Sequence, residues 1–508
     1  VAGALALATG ALGPVSAVPV RAALWIQAVG VGALGVAGAI ALLGGESAGG
    51  GFTGAITVSV GIDPLTGLFL AILGIVGVPA ALYASGYVPA GRAPRAIAAL
   101  GGGFQLAMVG VLVARDVATF LACWELMSLL PAAAILAARA DAEARRAVFV
   151  YLAITHVGGA AAWVAVLTLA GSGVIDDPGA LSGSTATVAL IAASALVGFG
   201  TKAGLAPLHA WLPRAHPIAP SHLSALMSGV MTKVAIYGLV RVFADLLPDA
   251  PGWCGPALLV AGGVSALGGI LFALAAGDLK RLLAFSTIEN VGIVALGLGA
   301  WLVLEGRGEQ TWAALALAAA LLHAVNHAAS KGLLFMAAGS IERAGAGQAL
   351  DRMGGLLGRM PLTAGATLIG LTAIAGLPPL GGFASEWLTL RALAELPIAG
   401  SIGSGILGAL ALAMLAAAAA VGVLCFTAVA GLALLGPARR PEAAAARDVA
   451  PSMRAGVAIL AGVCVALGAV PGLLVPALAD IAPGGATPTL GPGLDLPGAG
   501  ALHTLALM

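Results

Sequence analysis

Glu125, Lys202, Lys233, His323, His327, Lys331 and Glu386 each interrupt a stretch of otherwise apolar sequence. Carboxylate, ammonium and imidazole are the side chains that take up and release protons, so this set reads as a candidate proton-transfer chain. In "LLHAVNHAASKGLLF", His323, His327 and Lys331 recur at i, i+4 and i+8 and share one helix face. In "SHLSALMSGVMTKVAIY", His222, Gly229 and Lys233, at i, i+7 and i+11, also share a helix face. Each charge at the centre of a membrane helix costs about 2.5 to 3.5 kcal/mol on insertion scales. With Glu289 there are six such charges, together roughly 15 to 20 kcal/mol if unpaired. They must be paired, hydrated or neutral. Pairing as helix-to-helix glue is the bland explanation, and for Glu289, closer to one helix end, it weighs as much as a functional one. For the set it is poor, because buried ion pairs stabilise less than apolar packing. Two histidines at i, i+4 also suit a metal, but no H-E-x-x-H glutamate or third ligand accompanies them.

The elements that must hold these groups follow from composition. Apolar residues make up 60% of the chain and charged residues 9%, against about 25% in soluble domains, and apolar runs of spanning length recur throughout. The class is an all-α polytopic membrane protein. Cys123, Cys254, Cys425 and Cys464 lie far apart without C-x-x-C spacing, so no zinc site, iron–sulfur cluster or disulfide framework is indicated. Frequent G-x-x-x-G matches carry no weight in a chain with 75 glycines. A nucleic-acid footprint is missing, and the first residues lack the basic n-region of a signal peptide.

Hydropathy and loop breakers predict about fourteen transmembrane helices, starting near residues 1, 21, 65, 95, 116, 147, 186, 218, 257, 281, 312, 361, 405 and 454. Alternate loops then hold sixteen Lys and Arg residues, among them Arg92, Arg139, Lys280, Arg343 and Arg439. The intervening loops hold only Arg115 and Arg307, with Glu46, Asp176, Asp177, Asp249 and Glu309. By the positive-inside rule both termini are expected on the outer side.

In "FGTKAGLAPLHAWLPRAHPIAPS", span 7 is expected to run past Lys202 and break at Pro207. Broken helices are tolerated in a bilayer where the freed backbone is buried in protein or lines a wet cavity, and in transporters they mark ion sites. Leaving water disfavours a lysine's charged form and a nearby carboxylate favours it, so moving Glu125 towards or away from Lys202 would load or release a proton. The hexapeptide "AGLAPL" (203–208) returns as "AGLPPL" (375–380) in span 12, with Glu386 beyond the second break. Spans 4 to 8 and 9 to 13 then form two five-helix copies of opposite topology. His156 in span 6 and His327 in span 11 fit the same pairing. The expected division is 1–94 (spans 1 to 3), 95–250 (first repeat), 251–436 (second, inverted repeat) and 437–508 (span 14 and tail). Arg391, five residues after Glu386, is placed to help draw off its proton.

The segments "CWELMSLLP", "TKAGLAPLHAWLPRAHPIAPSHLSALMSGVMTKVAIYGLVR", "DLKRLLAFSTIENVGIVALG", "HAVNHAASKGLLFMAAGSI" and "GLPPLGGFASEWL" resemble the antiporter-like, proton-pumping membrane subunits of respiratory complex I, group 4 membrane-bound hydrogenases and multi-subunit sodium/proton antiporters. The resemblance is strongest to the large membrane subunit of hydrogenase-4 and formate hydrogenlyase, which usually carry asparagine where Gly381 stands. It implies fourteen core helices with two inverted repeats, helices 7 and 12 broken. By motif, Glu125 and Lys202 are the paired carriers, Lys233 the connecting lysine, His323, His327 and Lys331 the central relay, and Glu386 the terminal carrier.

Two functions from different classes follow. One is a non-redox proton-translocating subunit of an oxidoreductase complex in the plasma membrane, with any Fe–S, flavin or Ni–Fe centre in partner subunits of a peripheral arm and no cofactor in this chain. The other is a subunit of a sodium/proton antiporter without redox partners. A silent scaffold would leave the buried charges unexplained.

Overall fold

The computed structural model describes residues 1–16, 18–52, 58–88, 93–173, 184–398, 402–483, 494–496 and 500–502. Arg92, Asp176 and Asp177 of the loop-charge pattern lie outside them. The chain forms α1 (Ala2–Leu12), α2 (Val20–Gly44), the hairpin β1 (Ala48–Phe52) and β2 (Val58–Ile62), α3 (Pro64–Tyr87), α4 (Pro94–Val113), α5 (Val117–Ala138), α6 (Ala142–Gly171) and α7 (Thr185–Ala203). It continues with α8 (Ser221–Leu246), α9 (Cys254–Leu274), α10 (Leu279–Glu305), α11 (Gln310–Arg343), α12 (Pro361–Ile374), α13 (Gly381–Glu395), α14 (Ile402–Val429) and α15 (Pro451–Ala469). Several starts are fixed by side-chain caps: Asp63, Asp116, Asp141 and Asp278 accept from the backbone N–H three residues on.

Among the described residues, twelve helices are long and apolar enough to cross a membrane. Against the expected fourteen, the two that fall short are the apolar stretches Ala2–Val15 and Pro361–Ile374. The 14 residues of α12 rise about 21 Å, less than the ~30 Å hydrocarbon core, and the chain resumes its course only in α13.

Span 7 ends earlier than proline alone predicts. Helix α7 stops at Ala203 because Gly204 adopts the left-handed conformation (φ 97°), and its N–H and that of Leu205 bond back to Gly200 O. Pro207 lies within the break, and Lys202 falls in the last helical turn. The second hexapeptide behaves alike: α12 ends at Ile374 and Gly376 is left-handed (φ 64°) before α13 begins at Gly381.

Helices α8 and α11 are buried along their whole apolar length and α10 nearly so, whereas α6, α14 and α15 present most of theirs outward. The innermost helices are those that carry Lys233, Glu289, His323, His327 and Lys331. Close backbone approach between α9 and α10 uses the glycines that had seemed uninformative: a Cβ on Gly262 would stand 2.8 Å from Gly292 O. Helix α8 contains two π turns, Met227–Met231 and Val242–Leu246, the first ending two residues before Lys233.

Candidate functional site: buried lysines, histidines and carboxylates

Lys202, Lys233 and Lys331 are fully buried, and each amine is met by oxygen or nitrogen atoms of neutral groups. Lys202 Nζ donates to Trp124 O (2.9 Å) and Ser128 Oγ (2.6 Å) and lies 4.0 Å from the centroid of the Trp124 ring. Lys233 Nζ donates to Ser228 O (2.8 Å) in the π turn and sits 2.5 Å from His327 Nδ1. Lys331 Nζ donates to Leu283 O (3.0 Å) and to Ser286 Oγ on α10. Among the described residues no carboxylate pairs with any of the three within 4.0 Å.

Glu125 and Lys202 therefore stand apart in this structure. Successive residues on α5 point about 100° apart, so an amine held over Trp124 faces away from the next side chain. The Glu125 carboxylate turns to α6, accepting from Trp163 Nε1 (2.9 Å) and lying 3.4 Å from His156 Nε2. His156 Nδ1–H donates to Leu152 O (2.8 Å). With Nδ1 committed as a donor, Nε2 is the ring nitrogen left to face the carboxylate, at ion-pairing distance. In this structure His156 and Trp163, and not Lys202, are the partners of Glu125. Glu125→Gln is expected to lower proton translocation by about tenfold or more, since an amide cannot take up or release a proton. Proton uptake into vesicles checks it, and parental uptake would remove Glu125 from the route.

Lys233 opens the central stretch. His327, its partner, stacks with His323 at 6.4 Å between ring centroids. His323 then contacts Ser385 Oγ through Nδ1 (3.0 Å) and Asn290 Oδ1 through Nε2 (3.2 Å). Asn290 Nδ2 donates to Glu289 Oε2 (3.1 Å), which brings Glu289 into the network that sequence reasoning had left open. Ser128, Ser286, Asn290 and Ser385 were missed; their only signal was a small polar residue in an apolar helix.

Glu386 sits next to Ser385 with its carboxylate against the break: a Cβ on Gly376 would lie 2.5 Å from Oε2. Arg391 does not reach it. Five residues turn a helix by about 140°, and the Arg391 guanidinium instead lies 5.8 Å from the Trp312 ring centroid. Gly381 leaves room for Asn326, whose Nδ2 donates to Gly381 O (2.7 Å). Arg241 belongs to a separate cluster, with Asp63 at 2.8 Å and Asp245 at 2.5 Å, while Arg115 joins Asp63 at 2.9 Å. Burial alone would raise the Asp63 carboxyl, but the Arg241 hydrogen bond and charge, helped by Thr66 N–H and Arg115, hold it at about 2. This network ties the ends of α3 and α8 to the α4–α5 connection.

Residues 114–409 match the family model described as NADH:quinone oxidoreductase/Mrp antiporter, transmembrane, a region that contains every residue of the chain from Glu125 to Glu386. The chain belongs to this family. An uncharacterized protein of Mycobacterium tuberculosis is 41% identical to it over 90% of this chain and 71% of its own length. Hydrogenase-4 component B of Escherichia coli is 37% identical over 83% of this chain and 64% of its own length. A chain in the structure of the membrane-bound sulfane sulfur reductase, an archaeal respiratory membrane complex, superposes with a TM-score of 0.77 at 25% identity, covering 99% of this chain and 81% of that one. This is an antiporter-like membrane subunit of the complex I, hydrogenase and Mrp kind, and its structural relatives are parts of multi-subunit membrane complexes.

Proposed function

We propose that this chain carries protons across the plasma membrane as the non-redox, antiporter-like subunit of a hydrogenase- or complex I-type oxidoreductase, using Glu125, Lys202, Lys233, His323, His327, Lys331 and Glu386. The observation that carries this reading is that three fully buried lysines are solvated by carbonyls, hydroxyls and an imidazole. Structural ion pairs would leave each amine locked to a carboxylate. An amine on neutral acceptors can lose its proton without stranding a buried negative partner, which is what a relay requires. Lys202 and Glu386 each stand beside a left-handed glycine that ends a helix, and this supports two inverted repeats with one carrier at each break.

In this reading Glu125 and Lys202 load the proton, Lys233 and the α11 histidines pass it laterally, and Glu386 releases it. Redox centres, of iron–sulfur, flavin or nickel–iron type, belong to partner subunits of a peripheral arm, and both termini face outward. Purification of the native complex tests the assignment. Co-purifying metal- or flavin-containing subunits, with redox-driven proton uptake in vesicles, are expected. A purely membrane-embedded assembly that exchanges sodium for protons would replace this reading with the antiporter one.

A further inference from the structure

We propose that the cavity where the ends of α3, α5, α8, α10 and α11 meet is a proton inlet, with His222 taking the proton from it and His216 passing it towards Lys331. The inference rests on the proton-carrying role above and adds an entrance to it.

The cavity measures about 440 Å³ and is lined by Tyr87, Arg139, His222, Lys280, Glu342 and Arg343. His222 is 4% exposed, its ring lies edge-on to Tyr87 (5.7 Å), and its Nδ1 is buried without a partner among the described residues. Lys280, buried at the start of α10, donates to Glu342 Oε2 (3.0 Å) at the end of α11 and to Ala219 O (3.3 Å) in the linker before α8. The cavity is thus rooted at the ends of the two helices that hold the relay.

Its distance from the relay is short. Leu283, whose carbonyl accepts from Lys331 Nζ, is three residues beyond Lys280, a rise of about 4.5 Å along α10. His216 bridges the same interval from the linker side. Its ring stacks on Phe335 (4.8 Å), one turn along α11 from Lys331, and on Trp211 (6.3 Å), while Ser224 Oγ ties its carbonyl to α8 (3.1 Å). His216 is fully buried, and neither ring nitrogen has a partner among the described residues. Buried polar atoms of native proteins are almost always hydrogen-bonded, to protein or to ordered water, and a doubly orphaned imidazole beside a polar cavity fits a water-linked carrier.

The transfer balances. One ring nitrogen of His222 gains a proton as an O–H bond of a protonated water from the bulk breaks, leaving neutral water in the cavity, and the opposite N–H gives its proton onward. His216 repeats the exchange, and the neutral amine of Lys331 becomes the ammonium. No oxidant or co-reactant is involved.

The test uses the intact complex in proteoliposomes, with redox-driven proton uptake read by a pH dye. His222→Ala is expected to slow uptake by about tenfold or more. Imidazole supplied on the cavity side should restore a substantial part, because His222 lines a cavity large enough to admit it. His216→Gln should slow uptake similarly without rescue, since no comparable opening reaches the ring. His222→Gln, which keeps polarity and approximate size, is measured alongside so that an assembly defect is not read as a transport defect. Parental uptake in His222→Ala, or a loss in assembled complex that imidazole leaves unchanged, overturns the inlet. Glu386→Gln and Lys233→Met separate the two readings: if both also pump at the parental rate, the proton-carrying role of this network fails, whereas either of them blocked beside a normal His222→Ala removes only the inlet.

Discussion

Replacing Lys233 by methionine is expected to lower redox-driven proton translocation about a hundredfold while the subunit stays assembled. The amine joins the π turn of α8 to the α11 histidines through hydrogen-bond contacts with Ser228 O and His327 Nδ1. Methionine keeps an unbranched chain of similar length and packs readily in an apolar core, so the helices need not move. It also removes a buried charge, which favours folding. Ser228 O keeps the hydroxyl of Thr232 (2.7 Å) as its donor. What disappears is the proton carrier, and with it the partner of a histidine whose Nε2 already lacks one. Proton uptake and electron transfer measured on one preparation check this: uptake should fall with the complex intact by size-exclusion chromatography. Parental uptake would mean that protons bypass α8.

Glu386→Gln is expected to block release to a similar extent, about a hundredfold, with Glu386→Asp retaining partial activity. The carboxylate leans against Gly376 at the second break, and among the described residues nothing hydrogen-bonds to it, so no fixed donor or cation holds it in one protonation state. Its neighbour Ser385 contacts His323 Nδ1, which brings the end of the relay within one residue of it. Glutamine matches glutamate in shape but cannot gain or lose the proton; aspartate can, from about one methylene further back. Steady-state uptake in vesicles separates the three side chains. Equal rates for glutamate and glutamine would leave the exit to another group, with Glu289 the next carboxylate on the network.

The reading of individual residues shows where sequence suffices. Lys202, Lys233, Lys331, Glu125 and Glu386 stand out because a charge in an apolar run of spanning length is costly wherever it packs. Spacing alone puts His323, His327 and Lys331 on one face, and the structure stacks the two rings there. Helix starts are legible to within five residues, since apolar length, prolines and capping residues are local properties. The end of α7 is a partial exception: the break is local, but the left-handed Gly204 stops the helix before Pro207 does.

Partner choice is not local. Whether Glu125 meets Lys202 or His156 depends on how α5 is rotated against α6 and α7, and one residue's offset turns a side chain by about 100°. Arg391 looked close to Glu386 along the chain and lies round the helix from it, over Trp312. The hydroxyls and amides that hold the relay, Ser128, Ser286, Asn290 and Ser385, have no distinguishing mark in sequence, because small polar residues are common in membrane helices and matter only where packing brings a charge to them. A membrane-embedded set of titratable groups is legible in the sequence alone, through the solvation cost of each charge. The tertiary structure alone decided which groups solvate them, since hydrogen bonds act over about 3 Å and that precision comes only from helices packed side by side.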